Sequence, residues 1–383
     1  NEAVRFRVRL ARRLAVFPEL SSEDAERWAD RWLADAPFDP LAGQYAVAAR
    51  LRSGRAREAS TLEDELKQRF READLPVPDV SSDLPATQIA TIRASTMPDE
   101  AEPPRQAIRF VQTRDATSLA WASVGSSANP PLVKAANWLS HLELDWEAPI
   151  WSPLFRELAR TYNFIRYDER GCGLSDWNVP EISFESFVTD LEQVVDAAGL
   201  DRFPLLGISQ GAAVSIEYAA WHPDRVSHLI LFGGYAAGWR HTASKDEVKE
   251  REAVAVLTKS GWGRSNPSYR HIFSQTFMPD ATAEELSWFN EFQRRTTSPE
   301  NAVRFLDAFA DIDVRHRLAE VQAPTLVIHC RGDQRIPMTS GQALAAQLAD
   351  AEFVSLDSNN HLLLGREPAS GVFIETVRRF LQR

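Results

Sequence analysis

Only two cysteines, Cys172 and Cys330, occur in this chain of 383 residues. Two thiols cannot form a disulfide framework, and neither has a metal-binding partner at a usable spacing. No apolar run approaches the roughly 20 residues that a membrane-spanning helix needs, and the opening "NEAVRFRVRL" lacks the apolar core of a signal peptide. The sequence therefore predicts a cytoplasmic protein with no membrane association, no metal and no cofactor.

Positive charge is also scarce, because 43 Lys and Arg stand against 54 Asp and Glu, a formal net charge of -11. Coating a nucleic acid needs many phosphate-neutralising cations, so we expect no direct binding to nucleic acid. The local exception is the arginine cluster "RFRVRLARR", which indicates a solvated helix face or a fragment of an upstream element. Since the chain begins with Asn rather than Met, an upstream domain is left open.

Composition and length allow two domains, since 44% of the residues are hydrophobic. Residues 1–80 predict a helical N-terminal module: "SEDAERWADRWLADAP", "DPLAGQYAVAARLRSGR" and "REASTLEDELKQRFREADL" repeat apolar residues at helical spacing. Residues 81–105 are rich in Pro, Ser and Asp and predict a linker. Residues 106–383 form the remaining, larger domain.

The N-terminal stretch resembles the bacterial transcriptional activator domain, a helical-repeat module of regulatory proteins. The resemblance covers about 70 residues and rests on the helix spacing and turn residues of the segment "LADAPFDP…AARLRSGRAREA". It implies contact with other proteins rather than chemistry. We therefore expect a second copy of the chain or a protein partner at these helices.

From Ala107 onward, eight apolar segments of strand length are separated mainly by longer helical segments. Strands of Val, Leu and Ile alternating with helices predict an α/β fold whose mostly parallel eight-stranded sheet is covered on both faces. The alternation stops at about residues 234–312, where a helical pattern dense in Trp and Phe replaces it. This insertion predicts a helical cap at one edge of the sheet.

The pentapeptide "GISQG", residues 207–211, follows the buried run "FPLLGI" and precedes the helical run "GAAVSIEYAAWHP". A G-x-S-x-G motif in this setting predicts a strained turn that exposes the hydroxyl of Ser209, while close packing excludes side chains at Gly207 and Gly211. A serine needs a base and an orienting acid to become nucleophilic. Asp333 and His361 each follow a strand, in the order that this architecture uses. His329 is the main rival base, but it lies inside a strand.

The segments "GISQG", "RYDERGCGLSD", "HCRGDQRIP" and "SNNH" resemble those of the α/β-hydrolase fold superfamily over residues 107–383. The resemblance implies a serine hydrolase with a helical cap, in which Ser209 is the nucleophile, His361 the general base and then acid, and Asp333 the residue that fixes the histidine tautomer. It also implies an oxyanion hole formed by the backbone N–H groups of Gln210 and Trp138.

The oxyanion loop departs from the family pattern, because "AANW" stands where the family usually has His-Gly. Asn tolerates the left-handed backbone better than most residues, so we expect a glycine-like turn at Asn137. The loop "DERGCGLSD" lacks a phosphate-binding motif, and we interpret it as a structural turn in which Asp168 and Arg170 hold neighbouring loops. The resemblance also places Cys172 and Cys330 four strands apart, beyond disulfide reach.

The cap aromatics predict a narrow apolar site for an acyl or aromatic group, although such stripes also pack as core. Candidate substrate-binding residues are Asn137, Trp239, Trp262, Phe277 and Trp288. The first functional hypothesis is a carboxylic ester hydrolase, with lactones and thioesters included, that acts on a small-molecule substrate through an acyl-enzyme. The alternative is a ligand sensor whose hydrolase domain binds or slowly cleaves a small signal and reports through the N-terminal helices.

Overall fold

The computed structural model describes residue 11 and residues 22–52, 55–73, 75–77, 106–264 and 268–383. The chain forms two units, Asn1–Glu102 and Pro103–Arg383. The predicted linker, residues 81–105, and the arginine cluster at the start of the chain lie outside the described residues.

The described part of the first unit contains three helices, as the apolar periodicity predicted: α1 (Ser22–Asp35), α2 (Pro40–Arg52) and α3 (Ala56–Glu72). Their buried faces share a core that includes Trp32, Tyr45 and Leu66. The guanidinium of Arg50 on α2 donates to Asp30 on α1 at 2.8 Å. The unit is therefore a small helical module with its own core.

The second unit is built on one sheet whose eight described strands are β1 (Ala107–Gln112), β2 (Ser118–Val124), β3 (Pro131–Lys134), β4 (Asn163–Tyr167), β5 (Phe203–Ile208), β6 (Val226–Phe232), β7 (Thr325–Cys330) and β8 (Ala351–Leu356). Their order in the sheet is β1-β2-β4-β3-β5-β6-β7-β8. The pairings of β2 with β1 and with β4 are antiparallel, and the other pairings are parallel. This confirms the predicted mostly parallel α/β sheet.

Helices cover the sheet because the central strands are apolar on both faces and must be buried on both. The described helices of this unit are α4 (Leu142–Glu147), α5 (Ser152–Thr161), α6 (Phe184–Ala197), α7 (Gln210–Trp221), α8 (Trp239–Thr242), α9 (Lys245–Gly261), α10 (Ser268–Phe277), α11 (Ala283–Thr296), α12 (Pro299–Ala310), α13 (Met338–Gln347) and α14 (Pro368–Leu381). Helices α8 to α12 occupy the insertion that the sequence predicted as a cap.

One helix was not predicted from the sequence. Helix α4 has only six residues, and His141 caps it by accepting the Leu144 N–H through its side chain. By contrast, the loop after β4 holds its neighbours as predicted, since Arg170 donates to Asp190 at 2.6 and 2.7 Å. Asp168 accepts the N–H groups of Leu142 and Leu174.

Candidate active site

Ser209 lies at the junction of β5 and α7, with φ of 55° and ψ of -126°. A positive φ is a strained conformation for a residue with a side chain, and it persists only where the surroundings hold it. Here β5 packs closely on α7, because a Cβ added to Gly207 would lie 2.5 Å from the Ser215 Oγ and 2.6 Å from the Gly211 carbonyl oxygen. The strand-turn-helix that "GISQG" predicts is therefore present.

The structure brings Ser209, His361 and Asp333 together, although they lie on three separate loops. The Nε2 of His361 is 3.0 Å from the Ser209 Oγ, and its Nδ1 is 2.7 Å from the Asp333 Oδ2. His361 and Asp333 are buried, whereas Ser209 is partly exposed. This geometry can take a proton from the serine hydroxyl while the carboxylate holds the imidazole.

The carboxylate of Asp333 is kept ionised by its neighbours. Burial alone would raise the pKa of Asp333, but hydrogen bonds from His329 and His361 and from the backbone N–H of Ile336 hold it well below its usual range. His329 also lies near this carboxylate, at 3.5 Å, while its Nε2 is 2.9 Å from the Ile336 carbonyl oxygen. The rival base thus supports Asp333 and has no described contact with Ser209.

The cap also positions the histidine. The backbone N–H of His361 donates to the Phe277 carbonyl oxygen at 2.8 Å, and the Phe277 ring lies 5.5 Å from the imidazole, edge to face. Because Phe277 belongs to α10, a shift of this helix would also displace the imidazole of His361.

The predicted oxyanion loop carries a contact that the sequence did not reveal. The Trp138 N–H donates to the side-chain Oε1 of Gln210 at 3.0 Å, and the Gln210 Nε2 donates to Glu169 at 2.5 Å. A backbone N–H can only donate, so the orientation of the Gln210 amide is fixed by Trp138. The Gln210 N–H is at the first position of α7, where backbone donors have no intrahelical acceptor. One of the two predicted donors is therefore already engaged.

The expected left-handed turn at Asn137 is wrong, because Asn137 has no positive φ. The loop is held instead by the side chain of Asn137. Its Oδ1 accepts from the Lys134 Nζ at 2.5 Å, and its Nδ2 donates to the Trp138 carbonyl oxygen at 3.2 Å. Hydrogen bonds of the side chain replace the backbone freedom that a glycine would provide.

Two buried charged residues near this loop were not singled out from the sequence. Burial raises the pKa of Glu169 to about 8, against the opposing effects of Lys134 and Gln210. Burial likewise lowers the pKa of Lys134 to about 8. A lysine inside the apolar strand "PLVKAAN" and an acid next to a strand end were the available signals. Perturbed groups of this kind cluster at functional sites.

A cavity adjoins the triad. Ile208 and Leu362, which neighbour Ser209 and His361 in the chain, both line it. The remaining lining residues are Lys134, Asn137, Trp138, Leu139, Asp145, Trp151, Leu154, Phe155, Phe232, Phe289 and Leu363. The lining is thus mostly apolar with a few charged and polar groups.

Of the predicted substrate-binding residues, Asn137 lines this cavity, while the four cap aromatics do not. Trp262 is buried and packs on Trp138 at 5.3 Å between ring centroids. Trp288 stacks on Phe292 at 5.1 Å. Phe277 lies against His361, and the ring of Trp239 carries the Arg240 guanidinium at 5.2 Å. Substrate contact by these aromatics stays a prediction.

In the part of the chain that the structure describes, no cluster of three or more His, Cys, Asp or Glu is placed to hold a metal ion. Cys172 and Cys330 are both buried free thiols. None of the described helices is long and apolar enough to cross a membrane.

The fold and the elbow define the class of protein: the chain belongs to the α/β-hydrolase fold family, whose sequence model matches residues 146–368. It is similar to a protein of Rhizobium rhizogenes named "Putative carbamate hydrolase RutD", with 26% identity over 237 residues, 61% of this chain and 87% of that protein. An esterase from Exiguobacterium antarcticum (23% identity, TM-score 0.61) and the enol-lactonase from Burkholderia xenovorans LB400 (23%, 0.58) share the fold. Each covers 72% of this chain, matched over 99% and 100% of those structures. The comparisons together support a hydrolase of this family.

Proposed function

We propose that the protein is a serine hydrolase that cleaves a carboxylic ester, a lactone or a thioester. The observation that carries the proposal is the pair of contacts from His361, 3.0 Å to the Ser209 Oγ and 2.7 Å to Asp333, beside a strained elbow. Ser209 attacks the carbonyl carbon as its proton passes to the His361 Nε2. The same proton then goes to the leaving alcohol or thiol, and water releases the acyl group by the reverse path.

The negative charge of the tetrahedral intermediate needs donors in place. The Gln210 N–H, at the N-terminus of α7, is the first donor in this proposal. The Trp138 N–H is the second, after it leaves the Oε1 of Gln210. The mechanism therefore includes a small rearrangement of one side chain before the second donor becomes available.

The apolar lining of the cavity supports a small acyl or aromatic group as the bound part of the substrate. The name of the Rhizobium rhizogenes relative adds a carbamate to the compounds worth testing, because a carbamate offers the same attackable carbonyl carbon. The substrate series should therefore contain acyl esters of graded size, a lactone, a thioester and an aryl carbamate.

The test is Ser209→Ala, assayed with p-nitrophenyl butyrate and with a fluorophosphonate probe. We expect kcat to fall by about a millionfold and labelling to disappear, since the nucleophile supplies most of the rate enhancement in such triads. Ser227→Ala is the matched control, because Ser227 lies at the start of β6, away from the elbow. Undiminished turnover in Ser209→Ala would sink the proposal.

We propose a ligand sensor as the second candidate, favoured by the engaged Trp138 N–H and by a helical N-terminal unit with its own core. In this case the hydrolase unit binds or slowly cleaves its ligand, and the N-terminal helices contact a second copy or a protein partner. Sedimentation of the full chain with and without the best ligand of the series tests it. A ligand-independent assembly state, together with equal turnover by residues 106–383 alone, would remove its support.

A further inference from the structure

Arg335 lies two residues after Asp333, and its guanidinium extends towards the cap. The guanidinium carbon lies 4.9 Å from the centre of the Phe273 ring and 5.1 Å from that of Phe277. The ring of Phe277 also contacts His361. One aromatic ring therefore separates this cation from the imidazole of the candidate triad.

The guanidinium of Arg335 has no hydrogen-bond acceptor and no ion-pair partner among the described residues, although it is partly buried. Other buried arginines of this unit do have acceptors: Arg170 is paired with Asp190, and Arg270 donates to backbone carbonyls. A cation taken out of water costs free energy unless it is paired. The Arg335 guanidinium lies over two aromatic rings, which accept no conventional hydrogen bond, while its N–H donors lie at the edge of its own plane.

The groups around Arg335 come from several elements. The charge of Arg251 on α9 acts on Arg335, as do the hydroxyls of Tyr235 and Tyr269 and the carboxylate of Asp333. Arg251 has no ion pair within the described part of the chain either. Asp333 is already held by two histidines and by backbone N–H groups, so it does not compensate Arg335.

Tyr235 connects this group to the candidate site. It follows Gly233 and Gly234, and a Cβ at Gly233 would lie 3.2 Å from His361. Its side chain is partly buried, and its hydroxyl has no hydrogen bond to a described residue. A donor hydroxyl and two unpaired guanidinium groups thus lie on the cap side of the triad.

We propose that Arg335, with Arg251 and Tyr235, binds a carboxylate carried by the substrate of the hydrolase. The planar guanidinium fork matches a carboxylate with two parallel hydrogen bonds, and the flanking rings of Phe273 and Phe277 hold the fork in place. This inference rests on the proposed hydrolase function and narrows its substrate to an ester that bears an acid group at a distance from the scissile bond.

Two pairs of probes test the proposal, because the acid could be on the acyl side or on the leaving-group side. The first pair is a p-nitrophenyl half-ester of a six- to eight-carbon dicarboxylic acid and the methyl ester of the same compound. The second is the butanoyl ester of 4-hydroxybenzoate and that of methyl 4-hydroxybenzoate. In at least one pair we expect kcat/KM to favour the acid by about tenfold to a hundredfold, as for a charge-assisted hydrogen bond.

Arg335→Leu should abolish this preference, because kcat/KM for the acid falls at least tenfold further than kcat/KM for the matching methyl ester. Arg335→Lys should restore part of the preference, because a point charge replaces the fork. Arg202→Leu is the matched control, since it removes the same charge from an exposed site before β5. Equal turnover of acid and methyl ester by the wild-type protein, or a preference that survives in Arg335→Leu, would overturn the inference.

Binding without turnover separates this inference from the hydrolase proposal. Calorimetry of the Ser209→Ala protein with the same half-ester should show binding that is lost in Ser209→Ala with Arg335→Leu. If the wild-type protein hydrolyses none of the four probes but this binding pattern holds, the carboxylate site stands and the hydrolase proposal fails. If neither half-ester nor 4-hydroxybenzoate ester binds to Ser209→Ala, the carboxylate site is refuted.

Discussion

The side chain of Gln210 competes with the substrate for the Trp138 N–H, and its replacement by methionine should raise kcat. In the present structure the N–H donates to the Gln210 Oε1 at 3.0 Å. A hydrogen bond of this kind contributes about 1 kcal/mol net, and freeing the donor costs about that much. An oxyanion donor stabilises the transition state by about 2.7 to 4 kcal/mol. Giving up the bond to Gln210 for a bond to the oxyanion is therefore favourable.

Gln210→Met keeps the length of the side chain and removes its acceptor. Saving about 1 kcal/mol of the activation free energy corresponds to about a fivefold rise in kcat. Gln210→Glu should do the opposite, because a carboxylate accepts the N–H more strongly and also lies against Glu169. The assay is the initial rate of p-nitrophenyl butyrate hydrolysis at saturating substrate, with urea unfolding of each variant as a check on stability.

The exposed Gln347→Met on α13 serves as the matched control for the chemistry of the substitution. A hundredfold fall of kcat in Gln210→Met, at an unchanged free energy of unfolding, would refute the reasoning. It would mean that the amide holds the oxyanion loop in its working position and that the contact with Trp138 belongs to the active conformation.

Two further predictions concern buried charge. Asp190→Asn should lower the free energy of unfolding in urea by about 3 kcal/mol, because it removes the buried carboxylate from Arg170 and leaves the partly exposed Asp115 as the ion-pair partner. Asp307→Asn, in an exposed pair with Arg240, should cost less than about 1 kcal/mol. For Glu169, the folded pKa of about 8 lies above its ordinary value of 4.5, so stability falls as the pH rises between these values, by at most about 1.4 kcal/mol per pH unit. Glu169→Gln should flatten that slope between pH 5 and 8, and identical slopes would contradict the assignment.

The elbow and the fold were predictable because their signals are local. "GISQG" is flanked by a strand and a helix within 20 residues, and the close packing at Gly207 follows from that sequence alone. Ser209, Asp333 and His361 each follow a strand in the sequence, which predicted that they lie at the same edge of the sheet. The carboxyl ends of parallel strands lie at the same edge of a sheet, and this holds for any conformation of the loops between the strands.

The state of the oxyanion loop was not predictable in the same way. The contact between Trp138 and Gln210 joins residues 72 positions apart, and the same Gln210 side chain donates to Glu169, which is 41 positions away. The sequence showed that Asn137 replaces the glycine usual in the family, but it led us to expect a glycine-like backbone conformation there. The structure shows a side-chain solution, because the Asn137 amide accepts from Lys134 and donates to the Trp138 carbonyl oxygen.

Arg335 differs from the structural arginines in a way that burial alone does not capture. Arg166 and Arg170 are more deeply buried, yet each has a carboxylate within 3.3 Å, so the fold itself compensates their charge. Arg335 is held by rings that orient it without neutralising it. A cation that the fold orients but does not pair keeps most of its binding capacity for a ligand. This contrast, drawn within one chain, is the reason to look for the acid group of the substrate beside Phe277.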